Sequence, residues 1–95
     1  MTVEQLVRRD DQRNRYELVL DGEIVGIADF VERDSVVVLP HTEIDARRRG
    51  NGLGAILVQG VLDDVRARGQ TVVPSCWYVR DFIDQHPHEA DLLGG

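Results

Sequence analysis

Three alternate glycines, Gly50, Gly52 and Gly54, follow three consecutive arginines, Arg47 to Arg49, and open directly onto an apolar helical pattern. That junction constrains the fold more than any other part of the chain. Before it, Ser35 to Ile44 (SVVVLPHTEI) is apolar on both faces at first, as a central strand is. After it, Leu53, Ile56, Leu57, Val61 and Val65 fall at helical spacing, with Asp63 and Asp64 on the wet side. Arg66 and Arg68 suit the last turn of that helix and Gly69 its C-terminal stop. A short strand, Thr71 to Val73, ends at Pro74. Strand, glycine turn, helix and strand in this order predict a right-handed parallel crossover.

The flanking segments extend this unit. Tyr16 to Leu20 and Glu23 to Val31 alternate around Asp21-Gly22 and read as a hairpin. Leu6 to Arg9 reads as a short edge strand, and Arg33-Asp34 as the next turn. Pro40 has no N–H for a ladder, so a bulge or splay is expected there, with pairing loosening just before His41. Ser75 is expected to cap a second helix, running to about Gln85, with Tyr78, Val79, Phe82 and Ile83 inward and His86-Pro87 as its end. The tail, ADLLGG, is expected to fray. The order implies an α+β fold: a mixed, mostly antiparallel sheet of four to five strands with two helices.

Composition narrows the function. The 95 residues suit a single domain spanning 1–95. With 17 acidic and 11 basic side chains, all the latter arginine, the net charge of -6 argues against a nucleic-acid partner, which needs a broad basic surface. No apolar run approaches the ~20 residues of a membrane helix, and the stretch MTVEQLVRRDD lacks the apolar region of a signal peptide. A single cysteine forms no internal disulfide, so a reducing cytoplasm is expected.

Glycines let backbone N–H groups converge on a ligand, and a helix N-terminus adds unpaired donors and positive potential. The turn therefore reads as an anion site, with phosphate as the usual occupant and arginines to fork onto further oxygens; the plain alternative is a solvated turn. A Walker loop needs lysine, which the chain lacks. Gly50-x-Gly52-x-x-Ala55 matches a relaxed dinucleotide fingerprint, but the distance from strand to turn and the missing acidic partner argue against it.

Arg49-Gly50-Asn51-Gly52-Leu53-Gly54 is Arg-x-x-Gly-x-Gly. With HTEI before it and VVPSCWYVRDFIDQHP after the crossover, the stretch from about Tyr16 to Leu92 resembles the minimal subfamily of GNAT-type N-acetyltransferases. The resemblance implies a sheet whose central parallel pair splays apart around the arm of acetyl-CoA, used as co-substrate without a metal. It places Ile44 on the pantetheine and Arg49, Gly50, Asn51, Gly52, Leu53 and Gly54 on the pyrophosphate; Arg47 and Arg48 are candidates for the remaining phosphates or are solvated. Two departures stand out: His86-Pro87-His88-Glu89 lacks the subfamily's usual closing aromatic, and Trp77 follows the cysteine where a small residue or proline is common.

Acetyl transfer to an amine needs a proton acceptor, since a lysine-like amine has a pKa of about 10.4. Cys76, at a strand end and helix start, is a candidate acetyl carrier or a pocket lining. His41, placed by alternation on one face with Leu39 and Glu43, is a candidate base for Cys76 or for the amine, or a structural histidine. Glu43 is a third candidate base or a solvated charge. Tyr78 is a possible proton donor to the leaving thiolate, with core packing the plainer reading. His86 and His88 read as surface residues rather than a metal pair. The functions in view are an acetyl-CoA-dependent N-acetyltransferase acting on a small-molecule amine or an exposed protein or peptide amine, a non-catalytic acyl-CoA-binding or interaction module, and a thiol enzyme without coenzyme A. The oligomeric state is open.

Overall fold

The structure, a computed structural model, describes residues 4–94; residues 1–3 of the N-terminal stretch and Gly95 of the tail lie outside the described residues. Strands β1 (Gln5–Asp10), β2 (Arg15–Leu20), β3 (Glu23–Arg33), β4 (Val36–Ile44) and β5 (Thr71–Val73) form one sheet in chain order. The first four pair antiparallel and β4 pairs parallel with β5, across the crossover helix α1 (Leu53–Ala67). Helix α2 (Trp77–Gln85) follows β5, and a 3-10 segment, Pro87–Leu92, ends the chain's regular structure. The parallel pair lies at one end of the sheet, where, among the described residues, a single bridge from Leu93 to Val72 lies beyond β5.

Turn chemistry sets the hairpins. Asp21 and Gly22 both have positive φ, 48° and 84°, the twist a two-residue hairpin needs. The turn expected at Arg33-Asp34 falls one residue later, with β3 running through Arg33 and Asp34 taking φ 57°.

One apolar core lies between the sheet and the helices. Leu57, Val58, Val61, Leu62 and Val65 of α1 bury against Tyr16, Leu18, Ala28, Phe30, Val37, Leu39 and Val72. Burying one such aliphatic side chain contributes about 1.5–3 kcal/mol. Gly60 sits mid-helix because a Cβ there would overlap the Val7 side chain of β1. Asp64 does not simply face water: its Oδ2 accepts from Tyr16 Oη at 2.6 Å and from Arg68 Nε at 2.7 Å.

Burial and the Asp64 carboxylate push the Tyr16 hydroxyl up to about 12. The folded state thus keeps this proton where the unfolded chain loses it, at about pH 10. Stability should fall as pH rises from about 10 toward 12, and Tyr16→Phe should flatten that limb in urea melts. An unaltered alkaline limb in the variant would rule the pair out as its source.

Both helices pack on the face that carries Val7, Tyr16 and Ala28, and leave the opposite face bare. On that face Glu17 is nonetheless buried, because Arg8 Nε at 2.9 Å and Arg15 Nε at 3.0 Å close over it. Burial raises its carboxyl pKa, but the two guanidinium groups outweigh this and hold it below the ordinary range.

The second helix is capped by Cys76, not Ser75, since Cys76 holds extended backbone while Trp77 is its first residue. The tail does not fray over the described residues: Leu92 is buried and Gly94 N–H donates to Val72 O at 3.0 Å. Glu89, also buried, ties it to α1 through Gln59 at 2.9 Å and Arg66 at 3.0 Å.

Candidate active site

Pro40 produces both a bulge and a splay. Asp29 pairs with His41 and Val31 with Val38, so Leu39 and Pro40 together oppose Phe30. The extra residue reverses the side-chain alternation. Leu39 points into the core, whereas His41 and Glu43 emerge on the bare face, half or more exposed. The expected common face of Leu39 with His41 and Glu43 is therefore corrected: His41 and Glu43 share a face, and Thr42 and Ile44 take the inner one.

The same bulge ends the parallel ladder. Val38 with Val73 is its last pair, and Cys76 N–H closes the apex on Leu39 O at 2.9 Å. From His41 to Ile44, β4 pairs only with β3. Asp45 N–H donates to Val25 O at 2.8 Å. By alternation, the backbone groups of Thr42 and Ile44 face the open edge.

That edge forms one wall of a cleft of about 590 Å³. Arg48, Arg49, Gly50, Gly52, Leu53 and Gly54 form its base, and Trp77 and Tyr78 of α2 its far wall. The base is built by a short relay of caps. Asp45 accepts from Arg47 N–H at 3.0 Å to cap a 3-10 turn, Ala46–Arg48, and the Arg47 side chain and amide pull its carboxyl down to about 2. Gly50 and Gly52 then take φ 89° and 72°, and Gly52 is the N-cap of α1. A Cβ built at either would meet nothing within 4 Å, so the space over the turn is open.

Among the described residues no side chain caps α1, and no acidic residue lies in its first turn. Ile56 N–H reaches Gly52 O at 3.3 Å, but among the described residues the amides of Leu53, Gly54 and Ala55 have no acceptor. These donors and the helix dipole make the base of the cleft attractive to an anion.

The arginines divide. Arg49 lines the cleft and has no ion-pair partner among the described residues. Arg48 also lines it while holding Glu23 at 3.0 Å. Arg47 lies outside, held by Asp45 at 2.9 Å. Asn51 does not line the cleft; its Nδ2 donates to Arg48 O at 3.1 Å and steadies the turn.

His41 Nε2 and Glu43 Oε2 stand 3.7 Å apart at the lip. Cys76 is 9% exposed behind the wall, with its Sγ 3.5 Å from Thr42 Oγ1. Burial raises its thiol pKa, but the Thr42 hydroxyl and the amides of Val79 and Tyr78 outweigh this and leave it below the ordinary value. The side chain that reaches Cys76 is thus Thr42, not His41. Thr42 escaped the sequence reading, although the Pro40 bulge was the signal that would have turned it inward. Tyr78 is half-buried and packs against the edge of the core, as the plainer reading expects, and its hydroxyl lies so close to Gly54 that a Cβ there would overlap it. His86 is not a free surface residue: it stacks on Phe82 at 4.0 Å, with Nδ1 2.7 Å from Phe82 O.

A curled sheet parted beside an uncapped, glycine-turned helix is the architecture of the GNAT-type acetyltransferases. The chain belongs to the GCN5-related N-acetyl-transferase family, whose model matches residues 15–92. In sequence it is similar to Protein NATD1 of Mus musculus, 29% identical over 84 residues that cover 85% of this chain and 76% of that protein. Protein NATD1 of Homo sapiens is 27% identical over 84 residues, covering 85% and 74%. Among solved structures, a GCN5-like protein from Staphylococcus aureus superposes with a TM-score of 0.70 at 15% identity, covering 95% of this chain and 88% of the other. The ribosomal-protein-S18-alanine N-acetyltransferase from Escherichia coli gives 0.59 at 18% identity, covering 67% and 42%.

Proposed function

We propose that the protein is an acetyl-CoA-dependent N-acetyltransferase that works in a reducing, cytoplasmic setting on an amine held at the open lip of the cleft. One observation carries the reading: unpaired first-turn amides of α1 and the free Arg49 lie in the same cleft as the unpaired edge of β4. Leu53, Gly54 and Ala55 N–H, with Arg49 and Arg48, hold the pyrophosphate; Gly50 and Gly52 let it approach. The Ile44 backbone groups and the Thr42 carbonyl bond the pantetheine amides, which aims the thioester toward the lip.

Glu43 or His41 takes the proton of the incoming ammonium, and the neutral amine attacks the thioester carbonyl. An open-edge N–H of β4 steadies the oxyanion. The nitrogen of the tetrahedral intermediate gives up its second proton as collapse expels the coenzyme thiolate, and the thiolate takes a proton from the Tyr78 hydroxyl, which the released proton restores. The bare sheet face leaves the lip open, which suits an exposed amine on a peptide or small molecule.

A second reading, a covalent relay, is favoured by the lowered thiol of Cys76 at the start of α2. There the thiolate attacks the thioester, the coenzyme thiolate leaves, and the amine then displaces Cys76.

Melting and mass measurements test both. Coenzyme A at 100-fold over Kd should stabilise the protein by about 2.7 kcal/mol. Thiol release with a panel of amines should show turnover. Direct transfer predicts no acetyl adduct on the intact protein and continued turnover in Cys76→Ser; an adduct that vanishes in that variant would establish the relay. No melting shift would remove coenzyme binding, and a shift without turnover on any amine would leave a binding module.

A further inference from the structure

Trp77 is the chain's sole tryptophan and is 75% exposed. So large an apolar side chain is seldom left this open. It stands on the α2 wall of the cleft, edge-on to Tyr78 at 5.7 Å and 75°. Among the described residues no arginine lies over its ring; the cation contacts belong to Arg9. The β4 side of the same cleft carries Glu43 and His41, 3.7 Å apart and open to water where they emerge on the bare face.

A free aromatic face in the same cleft as a carboxylate is complementary to an ammonium group: the ring quadrupole attracts the cation and Glu43 supplies the opposite charge. We propose, resting on the acetyltransferase reading above, that Trp77 and the His41–Glu43 pair are the two walls of the acceptor subsite and select an amine that arrives protonated. Trp77 holds the cation by its carbon-bound, positively polarised surface, and the nitrogen points toward the pair that removes its proton. A neutral amine loses the cation–π attraction of the ring and keeps only ordinary hydrogen bonds to the pair. The net charge of -6 adds a field that draws cations to the lip.

Because Trp77 is the only indole, its emission reads this subsite directly. Tetramethylammonium, a cation with no N–H to lose, should change that emission saturably, with or without coenzyme A. It should compete with a primary alkylamine in turnover and not with acetyl-CoA. Trp77→Ala should raise the KM of the alkylamine about tenfold, with the larger effect on KM rather than kcat. An amine that is neutral at the assay pH should lose much less, and Trp77→Phe should recover part of the loss. Equal losses for charged and neutral amines, or none for either, would overturn the cation subsite. So would weaker coenzyme A binding in Trp77→Ala without any amine effect, which would move Trp77 to the coenzyme wall. A wild type that fails to bind coenzyme A yet shows the tetramethylammonium response would overturn the acetyltransferase reading and keep the subsite.

Discussion

Replacing Gly52 with valine is expected to weaken coenzyme A binding by about 100-fold or more. Two effects add. Gly52 holds φ 72°, where a β-branched residue is strained by about 1–3 kcal/mol. A side chain there also projects into open space over the turn, where the proposed pyrophosphate meets the Leu53, Gly54 and Ala55 amides. Losing one or two charge-assisted hydrogen bonds, each contributing about 1.5–3 kcal/mol, accounts for the size of the drop. Calorimetry at a temperature where circular dichroism shows the variant folded separates binding from stability. Gly69 provides the control: it has φ 69° and likewise no neighbour, but sits at the far end of α1. Gly69→Val should lose stability and keep coenzyme affinity. Equal affinity in the Gly52 variant and wild type would mean that the turn does not hold the coenzyme.

The second large effect concerns the base. Glu43→Gln and His41→Ala should each lower kcat/KM by about 10²-fold or more near neutral pH. The two groups are 3.7 Å apart, so the double variant should lose less than the product of the single losses. The pH profile identifies the cause. As pH rises toward about 10.4, the free amine in solution takes over the work of the base, so the gap between variant and wild type should narrow. A constant gap at every pH would make the pair a binding feature rather than a proton acceptor, and unchanged rates would place the base elsewhere.

Much of this architecture is legible in local chemistry. Asp21-Gly22 dictates a hairpin because both residues tolerate positive φ. Gly50 and Gly52 can only be a turn, and the apolar spacing after them can only be a buried helix. Pro40 forbids one ladder bond wherever it lies, so a break in β4 is written into the chain. Each of these rests on a residue's own backbone freedom or on a period of a few positions.

Other features depend on what meets across the fold. Whether Pro40 gives a bulge with one extra residue is settled by the register against Phe30, and that single count turns Thr42 inward and His41 outward. Cys76 rather than Ser75 caps α2 because the Cys76 amide is already committed to Leu39 O at the apex of the splay. The three arginines look equivalent in sequence, yet Asp45 and Glu23 draw Arg47 aside and leave Arg49 facing the cleft. The tail docks because Val72 offers a backbone partner to Gly94 and α1 offers Arg66 and Gln59 to Glu89. By itself the sequence determined which segments bend, pair or coil, since those depend on torsions and short periods; only the tertiary structure decided which side chains share the cleft, since that depends on long-range register and on competition between charges far apart in the chain.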